Sequence, residues 1–88
     1  MNVTFKNSFL KTIGKIRNVE LKEAIAQVIE NIESAANIKE IRNIKKLKGY
    51  TDYYRIKIDT YRIGLKITND EVYFVDIDHR KDIYKNFP

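Results

Sequence analysis

The sequence contains no cysteine and no tryptophan, and it has one histidine and one proline among 88 residues. The lack of cysteine excludes a disulfide framework and a thiolate metal site, and a single histidine excludes a multi-histidine metal site. No apolar run approaches the ~18 residues that a membrane span needs, and the first residues lack the apolar core of a signal peptide. We therefore expect a cytoplasmic protein that uses no metal or other cofactor.

A chain of this length is expected to form one domain over residues 1–88, because single hydrophobic cores normally serve ~100–150 residues before chains divide. The hydrophobic content of 43% is ordinary for a globular protein. No repeat, low-complexity tract or linker-like stretch suggests a second unit.

The positive charge is concentrated in one segment. Residues 42–66 hold eight basic and two acidic residues, an excess of +6, whereas the whole chain carries +5. A clustered basic patch is the electrostatic footprint of a protein that binds phosphate groups. The alternative is a cationic surface that only keeps a small protein soluble.

Hydrophobic periodicity predicts an α+β fold. Apolar residues at three- and four-residue spacing predict two helices, over residues 8–17 and 19–35. Alternation of period two predicts four strands, over residues 2–6, 53–58, 61–68 and 71–77. Residues 37–44 fit a helical turn or a packed loop, and the tail over 80–87 fits one helical turn. The order β-α-α-β-β-β predicts an antiparallel sheet with an N-terminal helical hairpin packed on one face.

The two middle strands carry an unusual arrangement of cations. If Asp59 and Thr60 form the hairpin connection, Lys57 lies opposite Arg62, and Arg55 lies one pair further along the same face. Like charges directly across a sheet are destabilising by ~0.2–1 kcal/mol. An anion bound between them would explain the arrangement; the alternative is that the long side chains splay into water.

A second candidate cluster follows the last strand. Histidine exchanges a proton near neutral pH, arginine matches phosphate oxygens with a bidentate fork, and a tyrosine ring can stack on a nucleotide. We expect the strand's exit to bring His79, Arg80 and Tyr84 to the rim of the same cationic face.

Four short pieces, taken in order, resemble the signature of RelE/ParE-type toxins of bacterial type II toxin–antitoxin systems. The pieces are 46–49 (KLKG), 53–58 (YYRIKI), 61–63 (YRI) and 79–84 (HRKDIY). The resemblance implies a compact antiparallel sheet with N-terminal helices and an antitoxin that neutralises the toxin. RelE-like members cleave mRNA in the ribosomal A site without a metal, whereas ParE-like members poison DNA gyrase. A degenerate toxin that only binds its antitoxin or RNA is the further alternative.

Carried onto this sequence, the resemblance implies two sets of functional residues. The catalytic set is Lys57, Arg62, His79, Arg80 and Tyr84. The set that contacts mRNA or ribosomal RNA is Lys45, Lys46, Lys48, Arg55 and Lys66. The implied reaction is attack of an RNA 2′-hydroxyl on its adjacent phosphate, with either Lys57 or His79 as the general base. The RelE-like branch is the favoured interpretation.

Overall fold

The computed structural model describes residues 1–88, and its elements follow the predicted order with one added strand. The helices are α1 (Asn7–Ile13) and α2 (Val19–Ser34), and two short 3₁₀ helices span Ile38–Glu40 and Ile83–Lys85. The strands are β1 (Asn2–Phe5), β2 (Ile44–Lys46), β3 (Tyr53–Ile58), β4 (Tyr61–Thr68) and β5 (Glu71–His79).

All five strands form one sheet in the order β1-β5-β4-β3-β2. The predicted antiparallel arrangement is found from β2 to β5, whereas β1 runs parallel to β5. The exception has a physical reason, because parallel neighbours need a long connection, and the chain between β1 and β5 includes both helices and three strands. The last strand therefore lies inside the sheet, between β1 and β4.

The added strand, β2, was not predicted. It is only three residues long and contains one apolar residue, so no alternation of period two can reveal it. Its Ile44 pairs with Ile56, and its Lys45 pairs with Arg55. The segment 37–44, predicted as a helical turn or a packed loop, contains the 3₁₀ helix Ile38–Glu40, and only its last residue belongs to β2.

The two helices differ in how closely the sequence predicted them. α1 ends at Ile13 rather than residue 17, because Gly14 follows it and glycine is a poor helix former. α2 begins after Asn18, whose side-chain oxygen accepts a hydrogen bond of 3.1 Å from the Leu21 backbone N–H. Neither helix has the length and apolar character required to cross a membrane.

The core lies between the helices and one face of the sheet. α2 contributes Leu21, Ile25 and Ile32 to a cluster of 14 buried residues. At the β1 side, the rings of Phe5, Phe9 and Phe74 pack together with centroids 5.1 to 5.8 Å apart. Burial of this apolar area is the main source of stability for the fold. We call this side of the sheet the helix-covered face.

Candidate functional site

The face of the sheet turned away from the helices is called the open face here. Alternation along β3 and β4 buries Ile56, Ile63 and Leu65 on the helix-covered face. The residues between them therefore project from the open face. The β3–β4 register is the predicted one, with Lys57 paired to Arg62 and Arg55 paired to Gly64. Because Lys45 of β2 is paired to Arg55, two like-charge pairs lie side by side on this face.

The cations of the open face form no ion pair within 4.0 Å with a neighbouring carboxylate. Within 4.0 Å the molecule has a single ion pair, between Lys85 and Asp82 in the C-terminal tail. Asp76 and Asp78 lie on the same face, and Asp78 is paired with Arg62 across β4 and β5. Each of these carboxylates instead accepts a 2.8 Å hydrogen bond from the backbone N–H of the residue that follows it. The face therefore carries unpaired positive charge.

Arg62 is held in place by the end of the β3–β4 hairpin. Its Nη1 donates to the backbone carbonyls of Asp59 and Tyr61, at 2.9 Å in both cases. Asp59 begins the turn with φ 52°, a left-handed conformation that suits primed hairpin turns and that Asp tolerates better than most residues. The side chain of Arg62 is half-buried, and its remaining N–H groups have no protein partner. They are thus available to an anion at this end of the sheet.

The tail brings Arg80 to the same end of the sheet. The Arg80 backbone N–H donates to the Thr60 carbonyl at 2.8 Å, which fixes Arg80 beside the hairpin turn. Arg80 is exposed, and Tyr84, at 51% exposure, also presents its side chain to solvent. Lys57, Arg62 and the backbone of Arg80 therefore lie at the same hairpin.

His79 does not lie with these cations. It is paired with Tyr61, and the two rings pack with centroids 4.3 Å apart and planes inclined by 31°. Tyr61 packs against the buried core, so alternation along β4 and β5 puts both rings on the helix-covered side. The expectation that His79 reaches the rim of the open face is wrong in this respect, because β5 continues two residues beyond the predicted end, through His79 itself.

The predicted RNA-contacting residues occupy several surfaces. Lys45, Arg55 and Lys66 belong to the open face. Lys46 pairs with Tyr54, whose side chain packs against the core, so Lys46 projects toward the helix-covered side. Lys48 lies in the loop after β2. Only part of the basic segment therefore forms a continuous surface.

Lys57 also reaches a cleft at the sheet edge. Beyond β2 the edge of β3 is uncovered, and a cavity of about 590 Å³ lies between it and α2. Its polar lining includes Gln27, Asn31, Arg42 and Lys57. No group of three or more His, Cys, Asp or Glu side chains is arranged to hold a metal ion.

The C-terminal tail covers the middle of the open face, which sequence reasoning missed. Phe87 is buried, and its ring lies over Gly64, where a Cβ atom would meet ring carbons at 2.7 Å. The same ring packs edge-on against Tyr53 at 5.5 Å. The tail is braced by Lys85, whose hydrogen bond to Asp82 lowers the pKa of that carboxyl below its ordinary value. A glycine opposite Arg55 within a strand was the one signal of such a close approach.

Comparison with known proteins identifies relatives over nearly the whole chain. Residues 3–84 match the family model described as ParE toxin of the type II toxin–antitoxin system parDE. Toxin RelE3 of Methanocaldococcus jannaschii is 35% identical over 89 residues, which cover all of both chains.

Two solved structures are similar in fold. One is the RelB–RelE antitoxin–toxin complex from Methanococcus jannaschii, with TM-score 0.78, 33% identity and coverage of 96% of this chain and 98% of that chain. The other is the intact E. coli RelBE toxin–antitoxin complex, with TM-score 0.65, 23% identity and coverage of 89% and 94%. The E. coli structure, at this low identity, supports the fold alone.

Proposed function

This chain belongs to the ParE toxin family of type II toxin–antitoxin systems and is a RelE-like toxin, and we propose that it acts as a ribosome-dependent mRNA endonuclease. In this role it cleaves mRNA in the ribosomal A site, inhibits translation and is neutralised by a cognate antitoxin. The antitoxin is proposed because similar toxins occur in complexes with RelB. Ribosomal RNA is proposed as the second nucleic-acid contact.

The observation that carries this proposal is the Lys57–Arg62 pair on the open face. Two cations directly across a sheet destabilise it by ~0.2–1 kcal/mol unless something between them supplies negative charge. No carboxylate of the protein does so within 4.0 Å. A phosphodiester bound between the two side chains would remove the repulsion, and Arg80 lies at the same hairpin to contact a further oxygen.

The proposed reaction is a transfer within the RNA strand. The 2′-oxygen attacks its adjacent phosphorus while the bond from phosphorus to the 5′-oxygen breaks, which leaves a 2′,3′-cyclic phosphate and a 5′-hydroxyl. Arg62 and Arg80 stabilise the charge that develops on the phosphoryl oxygens. A general base takes the 2′-hydroxyl proton, and a general acid gives a proton to the departing 5′-oxygen. Every step uses side chains of this protein and no metal.

Position alone favours Lys57 over His79 as the base, and Lys57 must be in its neutral amine form when it takes the proton. A general base must lie within hydrogen-bond reach of the proton that it removes, and Lys57 shares the open face with Arg62. His79 instead packs on Tyr61, on the helix-covered side of the sheet. The exposed Tyr84 then remains the candidate acid, with His79 as its alternative.

A second candidate function is poisoning of DNA gyrase. The observation that favours it is the family model itself, which is that of a ParE toxin. Such an activity acts by binding and does not require unpaired cations across the sheet. The third possibility, a remnant that binds antitoxin or RNA without catalysis, requires no preserved geometry around Arg62.

One experiment separates these functions. The chain is expressed from a tightly controlled promoter, and translation, mRNA 5′ ends and DNA breaks are followed in the same culture. An endonuclease gives a rapid loss of translation with new mRNA ends at A-site codons. Gyrase-dependent DNA breaks with intact mRNA would overturn the proposal in favour of the second candidate, and no effect on either would favour the third.

Arg62→Ala tests the site itself. We expect mRNA cleavage to fall roughly 100- to 1,000-fold, the loss typical when one donor to a developing oxyanion is removed. Arg62→Lys keeps the charge without the planar fork, so it should recover only part of the activity. The measurement is the single-turnover cleavage rate on programmed ribosomes. Arg17→Ala, which removes an exposed arginine between the helices, is the matched control.

Arg62 also holds the hairpin turn, so folding must be measured in the same variants. The expected result is a folded protein that still binds its antitoxin but no longer cleaves. A folded Arg62→Ala variant with unchanged cleavage would remove Arg62 from the proposed site.

A further inference from the structure

A second cleft lies on the open face, at the end away from the β3–β4 hairpin. Lys66 stands between its two partners, Tyr53 on β3 and Tyr73 on β5. Lys6, just beyond β1, completes the cleft from the other side. The cavity measures about 420 Å³ and is also lined by Thr68 and Val75. Lys66 is four residues from Arg62 along β4, or about 13 Å at the usual rise of a strand.

In this cleft each aromatic ring is paired with an ammonium group. The Nζ atom of Lys6 lies over the Tyr73 ring at 5.0 Å from its centroid, and that of Lys66 over the Tyr53 ring at 5.8 Å. No acidic side chain lines the cleft, and neither lysine forms an ion pair within 4.0 Å. The cleft therefore presents two unneutralised positive charges beside two aromatic faces.

The two tyrosines of the cleft differ in how firmly their rings are held. Both are half-buried, and Tyr53 packs edge-on against Phe87 at 5.5 Å and against Tyr50 at 5.9 Å. Rings that are already ordered lose little conformational freedom when a planar ligand stacks on them. Tyr73 is the less encumbered of the two, because its only ring contact of this kind is the flexible Lys6 side chain.

We propose that this cleft binds a nucleotide of single-stranded RNA on the same strand as the phosphate held at Lys57 and Arg62. The base stacks on Tyr73, while Lys6 and Lys66 leave the rings and contact backbone phosphates. Stacking of a base on Tyr73 is stronger than the exposed cation–π contact that it replaces, and phosphate contacts replace what the two lysines give up at the rings. The proposal rests on the proposed function, because it extends the same RNA strand along the open face.

The chemistry of the cleft favours RNA over an acidic peptide. A peptide carboxylate would use the lysines but would leave the two ring faces without a planar partner. Single-stranded nucleic acid uses both features, since a positively charged groove with interleaved aromatic side chains is its usual binding surface. Lys66 lies on β4, the strand that carries Arg62, so the cleft and the cations at the hairpin share the open face on either side of Phe87.

The test is direct binding of RNA to the purified full chain, without ribosomes. The probe is a fluorescein-labelled hexauridylate whose 2′-hydroxyls are methylated, which prevents cleavage by 2′-attack. Fluorescence anisotropy then gives the Kd at several salt concentrations. Tyr73→Ala should weaken binding roughly 5- to 100-fold through the loss of stacking, whereas Tyr73→Phe keeps the ring and should bind as well as the parent.

Lysine variants test the electrostatic half of the proposal. Lys6→Ala should reduce the slope of log K against log salt by about 0.7, the value for one phosphate contact with a single strand. Lys11→Ala removes another exposed lysine on the neighbouring helix and should leave that slope unchanged. If Tyr73→Ala does not fold, Tyr73→Leu retains bulk without an aromatic face and is expected to show the same loss.

The outcomes separate this inference from the proposed function. If RNA binding depends on Tyr73 but the chain leaves cellular mRNA intact, the nucleotide site is supported and the proposed nuclease activity is overturned. If the chain cleaves mRNA and RNA binding is unchanged by substitution of Tyr73 and Lys6, the nucleotide site is overturned and the proposed nuclease activity is supported. Binding of a polyglutamate peptide without measurable binding of the RNA probe would also overturn the inference.

Discussion

The same strands of the sheet present opposite chemistry on its two faces. On the helix-covered face Ile63, Leu65 and Phe74 have no exposed surface, whereas the residues between them on the open face include Arg62 and Lys66. One set is fixed by apolar packing, and the other set collects positive charge that the protein leaves unpaired. The covered face therefore supplies the stability that allows the open face to keep an arrangement that is locally unfavourable.

The open face is not uniformly polar, because the tail crosses it. Phe87 and Ile83 are buried there, and Phe87 rests on Gly64 in the middle of the face. The tail thus divides the cations at the hairpin, around Arg62, from the tyrosines and lysines at the other end. An RNA strand that runs along the face must therefore pass beside this apolar contact or displace it.

Phe74→Ala should give the largest effect on stability, because it empties a position at the centre of the core. We expect a loss of ~3–5 kcal/mol in the free energy of unfolding, measured by denaturant titration. The comparison variant is Phe87→Ala, which removes a ring that is equally buried but lies on the open face. Its loss should be smaller, because a short C-terminal segment can undock locally without unfolding the sheet. Equal losses would contradict the division between the two faces.

Most of the fold could be predicted from periodicity. The strands β3 and β4 agree with their predicted bounds, and α2 differs by one residue, because long alternating or helical patterns specify these elements. The failures are local. β2 is too short to show a pattern, and α1 is shortened at Gly14. The parallel pairing of β1 depends on how distant segments meet, which periodicity alone does not encode.

Only the part of the candidate site that depends on strand pairing could be predicted from the sequence. The Lys57–Arg62 pair was predicted on the condition that Asp59 and Thr60 form a two-residue turn, and the structure has that register although Asp-Thr is not a favoured turn sequence. The side of the sheet on which His79 lies depends on where β5 ends, and strand ends are the least predictable feature. The contact of Phe87 with Gly64 joins residues 23 positions apart and had no local signal beyond the glycine.

Gly64→Ala tests the apolar contact on the open face and should have an intermediate effect. The added Cβ would lie 2.7 Å from carbons of the Phe87 ring, so the tail must shift or be strained. We expect a loss of ~1–3 kcal/mol in unfolding free energy, the usual cost of overpacking.

The informative control is the same substitution in a Phe87→Ala background. With the ring absent, alanine should be neutral or stabilising there, because glycine within a strand costs ~0.5–1 kcal/mol relative to alanine. The double-mutant cycle measures the coupling between the two residues. Additive losses would mean that the tail does not rest on Gly64 in solution.

Lys57→Thr should give the smallest effect, and it is expected to be a gain. Removing one member of the Lys57–Arg62 pair relieves repulsion worth ~0.2–1 kcal/mol in unfolding free energy. Lys46→Thr is the matched control, because Lys46 is also an exposed strand lysine but pairs with Tyr54, and it makes the same change in β propensity. Salt screens exposed charges, so the difference between the two variants should shrink as ionic strength rises from about 0.01 to 1 M. If Lys57→Thr gains no more than Lys46→Thr at low salt, the two cations do not repel each other, and the open face then needs no bound anion to explain it.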